Sequence, residues 1–283
     1  MPIRIVQSKQ NARLKELRKA LTHPGRNERG LVGIEGPNLV FEAISSGLRV
    51  DAVFAASQRI ADDIASQQNM AHVDVFLALG DSLRSALITE SPQSLAALVE
   101  PPEWKWNDLL HRPGSEALII LLAGIQDPGN LGTIVRSAEA FQATGVICLP
   151  GTVNPWNSKA VRASAGSIFR VPLLQSSETE ALDQLHQAAI PIFTTAVEGA
   201  QPATLASLTG PVALVIGNEG NGVPDELAAH TDGALTIPCP GPVESLNAAV
   251  AASVLLYEAS RQRGSSKQSE PARPRRSGAG DSR

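Results

Sequence analysis

The sequence predicts an α/β protein of two units: a small α/β unit, then a larger one built on a parallel sheet with helices on both faces. Three observations predict it. Short aliphatic runs such as "VDAVFAA", "ALIILLAG" and "VALVIG" read as strands buried on both faces. Amphipathic helical stretches alternate with those runs, as a parallel sheet requires, because each parallel neighbour needs a crossover. The 283 residues, 43% hydrophobic and 18% charged, supply two modest cores, whereas a disordered chain would carry fewer aliphatics and more charge.

The first unit, residues 1–100, opens with "NARLKELRKAL", where Leu14, Leu17 and Leu21 recur at helical spacing among basic residues. "GPNLVFEAISSG" repeats the pattern with Leu39, Val40, Ala43 and Ile44 before a glycine that ends the helix. The runs "VDAVFAA" and "VDVFLA" read as strands, with a last strand over Leu95 to Val99. Paired prolines, two tryptophans and a Pro-Gly follow, so residues 101–115 read as a linker.

The second unit, residues 116–263, carries stronger signals. Strand "ALIILLAG", helix "LGTIVRSAEAFQAT", strand "GVICLP", helix "SKAVRASAGSIF", strand "VPLL" and helix "ETEALDQLHQAA" come first. Strands "PIFTTAV", "VALVIG" and "ALTIPC" follow, and a final helix runs from about Leu246 to Arg261. Residues 264–283 are low in complexity, and a disordered basic tail is expected there. There is no internal repeat.

Composition narrows the function. No stretch approaches the roughly 20 apolar residues of a membrane span, and the first 21 residues lack the apolar run of a secretory signal, so a cytoplasmic address is expected. Cys148 and Cys239 stand alone and the five histidines are scattered without ligand spacing, so neither disulfides nor a metal site is expected. The net charge of −4 argues against a nucleic-acid partner, but its distribution does not. Arg4, Lys9, Arg13, Lys15, Arg18, Lys19, Arg26 and Arg29 face only Glu16 and Glu28 within the first 30 residues. Such a cluster is either a phosphate-binding surface or a solvated helix face.

In an open parallel sheet, ligands gather at the carboxyl ends of the strands. Three of those ends are rich in glycine and polar residues: "GIQDPGNLGTIVRSAEA", "IGNEGNGVPDEL" and "IPCPGPVESLNAAVA". None fits a dinucleotide or P-loop fingerprint; the glycines at 217, 220 and 222 are in the wrong order. In the first loop Asn130 stands where a helix N-cap belongs, Gly132 suits close packing, and Arg136 follows six positions on. In the second, Glu219 could accept hydrogen bonds from a ligand or cap neighbouring amides. In the third, Pro238, Pro240 and Pro242 stiffen the approach, Ser245 suits an N-cap with Asn247 in the first turn, and Ala248, Ala249, Ala251 and Ala252 suit unusually close packing.

"NLGTIVRSAEAFQATGV", "LVIGNEGNGVPDEL" and "IPCPGPVESLNAAVAASVLLYEASRQR" together resemble the three motifs of the SpoU (TrmH-type) RNA 2′-O-ribose methyltransferases of the SPOUT superfamily, over about residues 117–262. The segments "SKQNARLKELRKAL" and "GLVGIEGPNLVFEAISSGLRVDAVFAA" resemble the L30e-like substrate-binding domain often found before them. The resemblance implies a C-terminal trefoil knot, an exception to the rule that chains do not thread. It implies S-adenosylmethionine as methyl donor, with Gly217, Ile237 and Leu246 around it. It also implies an active site of Asn130, Arg136, Glu219, Ser245 and Asn247, an RNA substrate with ribosomal RNA favoured over transfer RNA, and a homodimer through the knot region, with Val254, Leu255 and Tyr257 on one side of the last helix. Ala248 and Glu244 depart from the commoner Val and Ser of the third motif, which touches substrate detail rather than chemistry.

The implied reaction is in-line attack of a ribose 2′-hydroxyl on a sulfonium methyl group. Arg136 is the family's favoured activator, either as base or as a cation that stabilises the developing alkoxide; the second role suits a guanidinium that stays protonated. Rival readings are a non-catalytic RNA-binding module, which the presence of Asn130 and Arg136 disfavours, and a base-methylating enzyme of the same superfamily.

Overall fold

The computed structural model describes residues 3–268 apart from 68–69, 71, 80, 92, 197–198 and 243–244. Two sheets organise the chain. The first holds β1 (Arg4–Val6), β2 (Val32–Glu35), β3 (Val50–Ala55), β4 (Asp74–Ala78) and β5 (Leu95–Val99) in the order β1-β4-β3-β5-β2. β5 runs antiparallel to both of its neighbours, so the last strand of this unit in sequence lies inside the sheet, buried along its whole length.

Helix α1 (Ala12–Thr22) covers one face, with Leu14, Leu17 and Leu21 packed on Phe54 and Phe76, whose rings stack 5.1 Å apart. Helices α2 (Pro37–Ser45) and α3 (Gln58–Ala65) cover the other through Val40, Ala43 and Ile64. β1, β2 and α3 were not anticipated. The first two are only three and four residues long, too short for a periodic signal to build.

The stretch joining the sheets carries helix α4 (Trp106–Leu110), whose Leu109 is fully buried against Gly145. A side chain on Gly145 would overlap the Leu109 side chain, so that glycine is there for close approach.

The second sheet comprises β6 (Leu118–Ala123), β7 (Gly145–Cys148), β8 (Leu173–Gln175), β9 (Ile192–Thr195), β10 (Gln201–Pro202), β11 (Val212–Gly217) and β12 (Gly233–Thr236). Their order is β10-β12-β9-β11-β6-β7-β8 and every pairing is parallel. β6 and β11 form the centre in register from Val212↔Leu118 to Gly217↔Ala123.

Strand alternation explains the two cores. Leu118, Ile120 and Leu122 face Leu131, Ile134 and Val135 of α5 (Pro128–Ala140) and Leu255 and Leu256 of α9 (Ala248–Gln268). Ile119 and Leu121 face Leu182 and Leu185 of α7 (Glu178–Gln187) and Leu227 of the one-turn α8 (Asp225–Ala228). The expected parallel sheet with helices on both faces is what forms.

Three expectations are corrected. The helix expected over "SKAVRASAGSIF" is split into α6 (Ser158–Ala163) and a 3-10 turn at Ser167–Phe169, because Ala165 and Gly166 turn at φ +50° and +91°. The last helix begins at Ala248 and continues to Gln268, into the stretch expected to be disordered. Arg263 explains the extension: its guanidinium donates to the carbonyls of Leu208, Glu116, Ala117 and Gly210 at 2.6–3.0 Å. Finally, Leu255 is fully buried, and the exposed stripe of α9 is Val250, Val254 and Tyr257. The rest of the expected tail, 269–283, lies outside the described residues.

The N-terminal charge cluster also looks different in three dimensions. Arg13 and Arg29 both bind Glu16 and Asp51, and Arg4 binds Asp74. Lys19 pairs with Glu28 and Arg26 with Glu103. Of the eight basic side chains, Lys9, Lys15 and Arg18 have no carboxylate partner among the described residues. The two units meet through Arg170, which binds Glu42 at 2.6 Å, Ser46 at 2.9 Å and Glu139 of α5 at 2.5 Å. Among the described residues no helix is long and apolar enough to cross a membrane.

Candidate active site

The carboxyl ends of β6 and β11 lie side by side at the centre of the second sheet, and the loops leaving them meet the start of α9. After β6 the chain turns at Gly124, with φ +79°, and enters α5 at Pro128. The helix cap is Asp127, not Asn130 as expected: its Oδ1 accepts from the Asn130 backbone N–H at 3.0 Å. Asp-Pro at a helix start is the pattern that could have revealed this, since proline suits the first helical position and aspartate the one before it. Lys159 Nζ lies 2.9 Å from Asp127 Oδ2. That ammonium and the Asn130 N–H hold the Asp127 carboxyl below the usual range.

Freed from capping, the Asn130 side chain reaches two partners. Its Nδ2 donates to Glu219 Oε1 at 2.8 Å, and its Oδ1 accepts from Asn247 Nδ2 at 3.0 Å. Asn247 is itself oriented, because its Oδ1 accepts from the backbone N–H groups of Ala249 and Val250 at 2.9 and 3.2 Å. Asn247, and not Ser245, is therefore the cap of α9. The hydrogen-bonding sense runs one way through both amides, from the α9 cap through Asn130 to a carboxylate.

Glu219 also accepts from the backbone N–H groups of Gln126 and Asp127 at 3.3 and 3.5 Å. Partial burial raises its pKa, but the hydrogen bonds from Asn130 and these amides outweigh it, and the carboxyl sits below the usual range. Glu219 thus ties the β11 loop to the start of α5.

The β11 loop owes its shape to Gly217 and Asn218. A side chain on Gly217 would collide with the backbone of Gly222 and Val223. Asn218 and Gly222 exchange backbone hydrogen bonds of 2.9 Å. The Asn218 side chain accepts from Gly220 and Asn221 and donates to the Gly124 carbonyl at 2.7 Å. Sequence reasoning missed Asn218, Asp127 and Lys159. Only the fold brings Lys159 beside Asp127, and Asn218 carried no signal beyond its place after Gly217.

Of the remaining candidates, Ile237 and Leu246 are half-buried and Ser245 is exposed; Glu244 lies outside the described residues. Arg136 is exposed on α5 and has no hydrogen-bond or ion-pair partner among the described residues. At 1.5 Å per residue it stands about 9 Å along the helix from Asn130. The structure therefore brings Asn130, Glu219 and Asn247 together with Gly217, and leaves Arg136 apart from them within one chain.

Helices α5 and α9 run side by side in the same direction: Asn130 meets Asn247, Ser137 Oγ lies 2.7 Å from Ser253 Oγ, and Phe141 packs edge-on against Tyr257. Both N-termini consequently point to the same place, which favours an anionic or electron-rich group there. Among the described residues no group of His, Cys, Asp and Glu side chains could hold a metal ion. Burial pushes the Cys148 thiol up to about 12, so it is not a thiolate ligand.

Residues 117–257 match the SpoU rRNA methylase family. The chain is 31% identical to the 23S rRNA (guanosine(2553)-2′-O)-methyltransferase RlmP of Bacillus subtilis, over 89% of this chain and 97% of that one. Among solved structures it is similar to the SpoU methyltransferase AviRb of Streptomyces viridochromogenes in complex with AdoMet, with a TM-score of 0.78, 28% identity, and coverage of 90% of this chain and 99% of that one. It is also similar to the AdoMet-bound rRNA methyltransferase of Sinorhizobium meliloti, with a TM-score of 0.79, 27% identity, and coverage of 92% and 98%. The family match covers the second unit alone, whereas the matches to RlmP and to the two solved structures, at 89–92% of this chain, reach across the N-terminal unit as well. The chain belongs to the SpoU rRNA methylase family of S-adenosylmethionine-dependent RNA 2′-O-methyltransferases.

Proposed function

We propose that this protein methylates the 2′-hydroxyl of a ribose in ribosomal RNA of the 23S type, in the cytoplasm, as a homodimer. The observation that carries the reading is the one-way chain Asn247–Asn130–Glu219 at the convergence of two helix N-termini. Neutral amides held in fixed orientation suit the positioning of a ribose hydroxyl, a substrate with no charge of its own.

The residues present fit S-adenosylmethionine. Ile237 and Leu246 offer half-buried apolar surface, and an added Cβ at Gly222 or Gly241 would meet nothing within 4 Å, so the loop backbone there is open to a ligand. Gly217, Ile237 and Leu246 would hold the donor, which supplies a methyl group on a good leaving group. Asn130 and Asn247 would orient the ribose with Ser245, and Glu219 holds Asn130 and the β11 loop in place. Arg136 would stabilise the developing alkoxide and clamp the neighbouring phosphate, for which a planar fork of donors is suited.

The position of Arg136 supports a dimer that completes the site. It lies on the exposed side of α5, and the neighbouring α9 carries an exposed stripe of Val250, Val254 and Tyr257, which are 47%, 38% and 54% exposed. A second copy covering that stripe would bring its own loops to Arg136. The reading includes the trefoil knot and a boundary between the units within 101–115. The return of the chain from β12 to a helix lodged against α5 and β11 supports the threading, and the two separate sheets support the boundary.

The test is methyl transfer from labelled S-adenosylmethionine to ribosomal and transfer RNA taken from a strain lacking the protein. Label in ribosomal RNA, lost in Arg136→Ala, is expected. Label in transfer RNA alone would overturn the substrate.

A further inference from the structure

Away from the Asn130 site, the described residues enclose a cleft of about 420 Å³ where the two units and their connecting stretch meet. That volume lies within the roughly 300–1,000 Å³ of small-ligand clefts. Gly25 and Arg26 of the first unit form one wall, and Pro102 to Lys105 of the connection another. Asn154 to Trp156, after β7, and Leu173 to Gln175 of β8 complete it. Two of the chain's three tryptophans, Trp104 and Trp156, line this single cleft. Both are only half-buried. The Trp104 indole N–H meets no acceptor among the described residues, so packing alone holds that ring.

The polar groups around the rings are available. The Lys105 ammonium forms no ion pair among the described residues, and the Gln175 amide forms no hydrogen bond there; both side chains are exposed. Asn154 uses its Oδ1 to accept from the Trp156 backbone N–H at 2.9 Å, which leaves its Nδ2 to donate. Gly25, at φ +100°, passes so close that a side chain there would press on this Nδ2. Apolar aromatic walls with a few convergent amides and one free cation are the chemistry that receives an unpaired nucleobase: the ring stacks, the amides meet its edge and the ammonium meets a phosphate.

The loop that lines the cleft also touches the methyl-transfer site. The Val153 backbone N–H donates to the Ile125 carbonyl at 2.8 Å, and Lys159 at the start of α6 binds Asp127, the cap of α5. Both features stand at the carboxyl edge of the same sheet. The N-terminal unit, meanwhile, ties Arg4, Arg13, Lys19 and Arg29 to its own carboxylates, which weakens the hold that charge alone gives it on RNA.

We infer that the Trp104–Trp156 cleft is a second RNA subsite, which captures an unpaired base of the substrate other than the nucleotide that is methylated. The inference rests on the RNA-methyltransferase reading. Because the cleft is built from both units, base capture there also fixes the angle between the unit that grips RNA and the unit that modifies it.

The test uses the full chain saturated with S-adenosylmethionine. Tryptophan fluorescence is titrated with hexa-adenylate and hexa-uridylate, and methyl transfer to ribosomal RNA is measured for wild type, Trp156→Leu, Trp156→Phe and Lys105→Glu/Gln175→Ala. Stacking contributes about 1–3 kcal/mol per base, so Trp156→Leu should raise the KM for RNA by roughly fivefold or more with kcat within about twofold. Trp156→Phe, which keeps a stacking ring, should restore KM to within about threefold, and the oligonucleotides should quench wild-type fluorescence. Wild-type KM in Trp156→Leu would overturn the subsite. Should Trp156→Leu not fold, the rim variant Lys105→Glu/Gln175→Ala decides: a raised KM supports the subsite and an unchanged one overturns it. An active wild type with indifferent variants sinks only the cleft. A wild type that transfers no methyl to RNA but is quenched by the oligonucleotides sinks the methyltransferase reading and leaves the cleft standing.

Discussion

Asn130 is the residue on which the site turns, because among the described residues it alone hydrogen-bonds to both Glu219 and Asn247. Contacts in one network do not add, so Asn130→Ala and Asn247→Ala should each slow methyl transfer at least tenfold, while the double variant loses little more. A coupling of about 0.5–3 kcal/mol is expected from the double-mutant cycle. Gly217→Ala should destabilise the fold by about 1–3 kcal/mol, measured by denaturant unfolding, since its Cβ would enter the Gly222 and Val223 backbone. Asp127 gives a pH dependence. Its folded pKa is depressed, so its contribution to stability is present above the ordinary aspartate range and disappears as pH falls through the lower folded value. The stability gap between wild type and Asp127→Asn should accordingly be open at neutral pH and close in acid. Residue identities were legible here and residue roles less so. All three members of the Asn130 chain stand in the quoted motifs, yet two caps were misplaced, because Asn and Ser near a helix start look equally suitable until the backbone direction is known.

At the scale of elements, β6, β7 and β11 announced themselves most clearly, since strands buried on both faces must be continuously aliphatic, whereas the two-residue β10 gave no signal. Elements that depend on distant partners did not. β1 is three residues that exist through pairing with β4, and the break between α6 and the 3-10 turn rests on the backbone at Ala165 and Gly166. The overlong α9 belongs to the same class, because Arg263 is held by carbonyls from two separate loops. Burial depresses the Arg263 pKa, because the guanidinium is partly withdrawn from water. Arg263→Ala should therefore cost about 3 kcal/mol, seen as a fall in Tm, and Arg263→Lys should recover little because an ammonium cannot span the same acceptors.

For the molecule as a whole, charge was the least legible quantity. Asp51 and Asp74 are far from Arg4, Arg13 and Arg29 in sequence, and folding pairs them, so a basic N-terminus becomes a largely neutral surface. Val250, Val254 and Tyr257 are exposed apolar surface, and on the proposed homodimer Tyr257→Glu should give a monomer by sedimentation with methyl transfer strongly reduced. The most direct test of the central claim is the chemical position of the transferred methyl. Ribosomal RNA labelled by this protein is digested to nucleosides and resolved by mass spectrometry. The account predicts label in a single 2′-O-methylated nucleoside, absent with Asn130→Ala. Label on a base, or undiminished ribose label with Asn130→Ala, would contradict it.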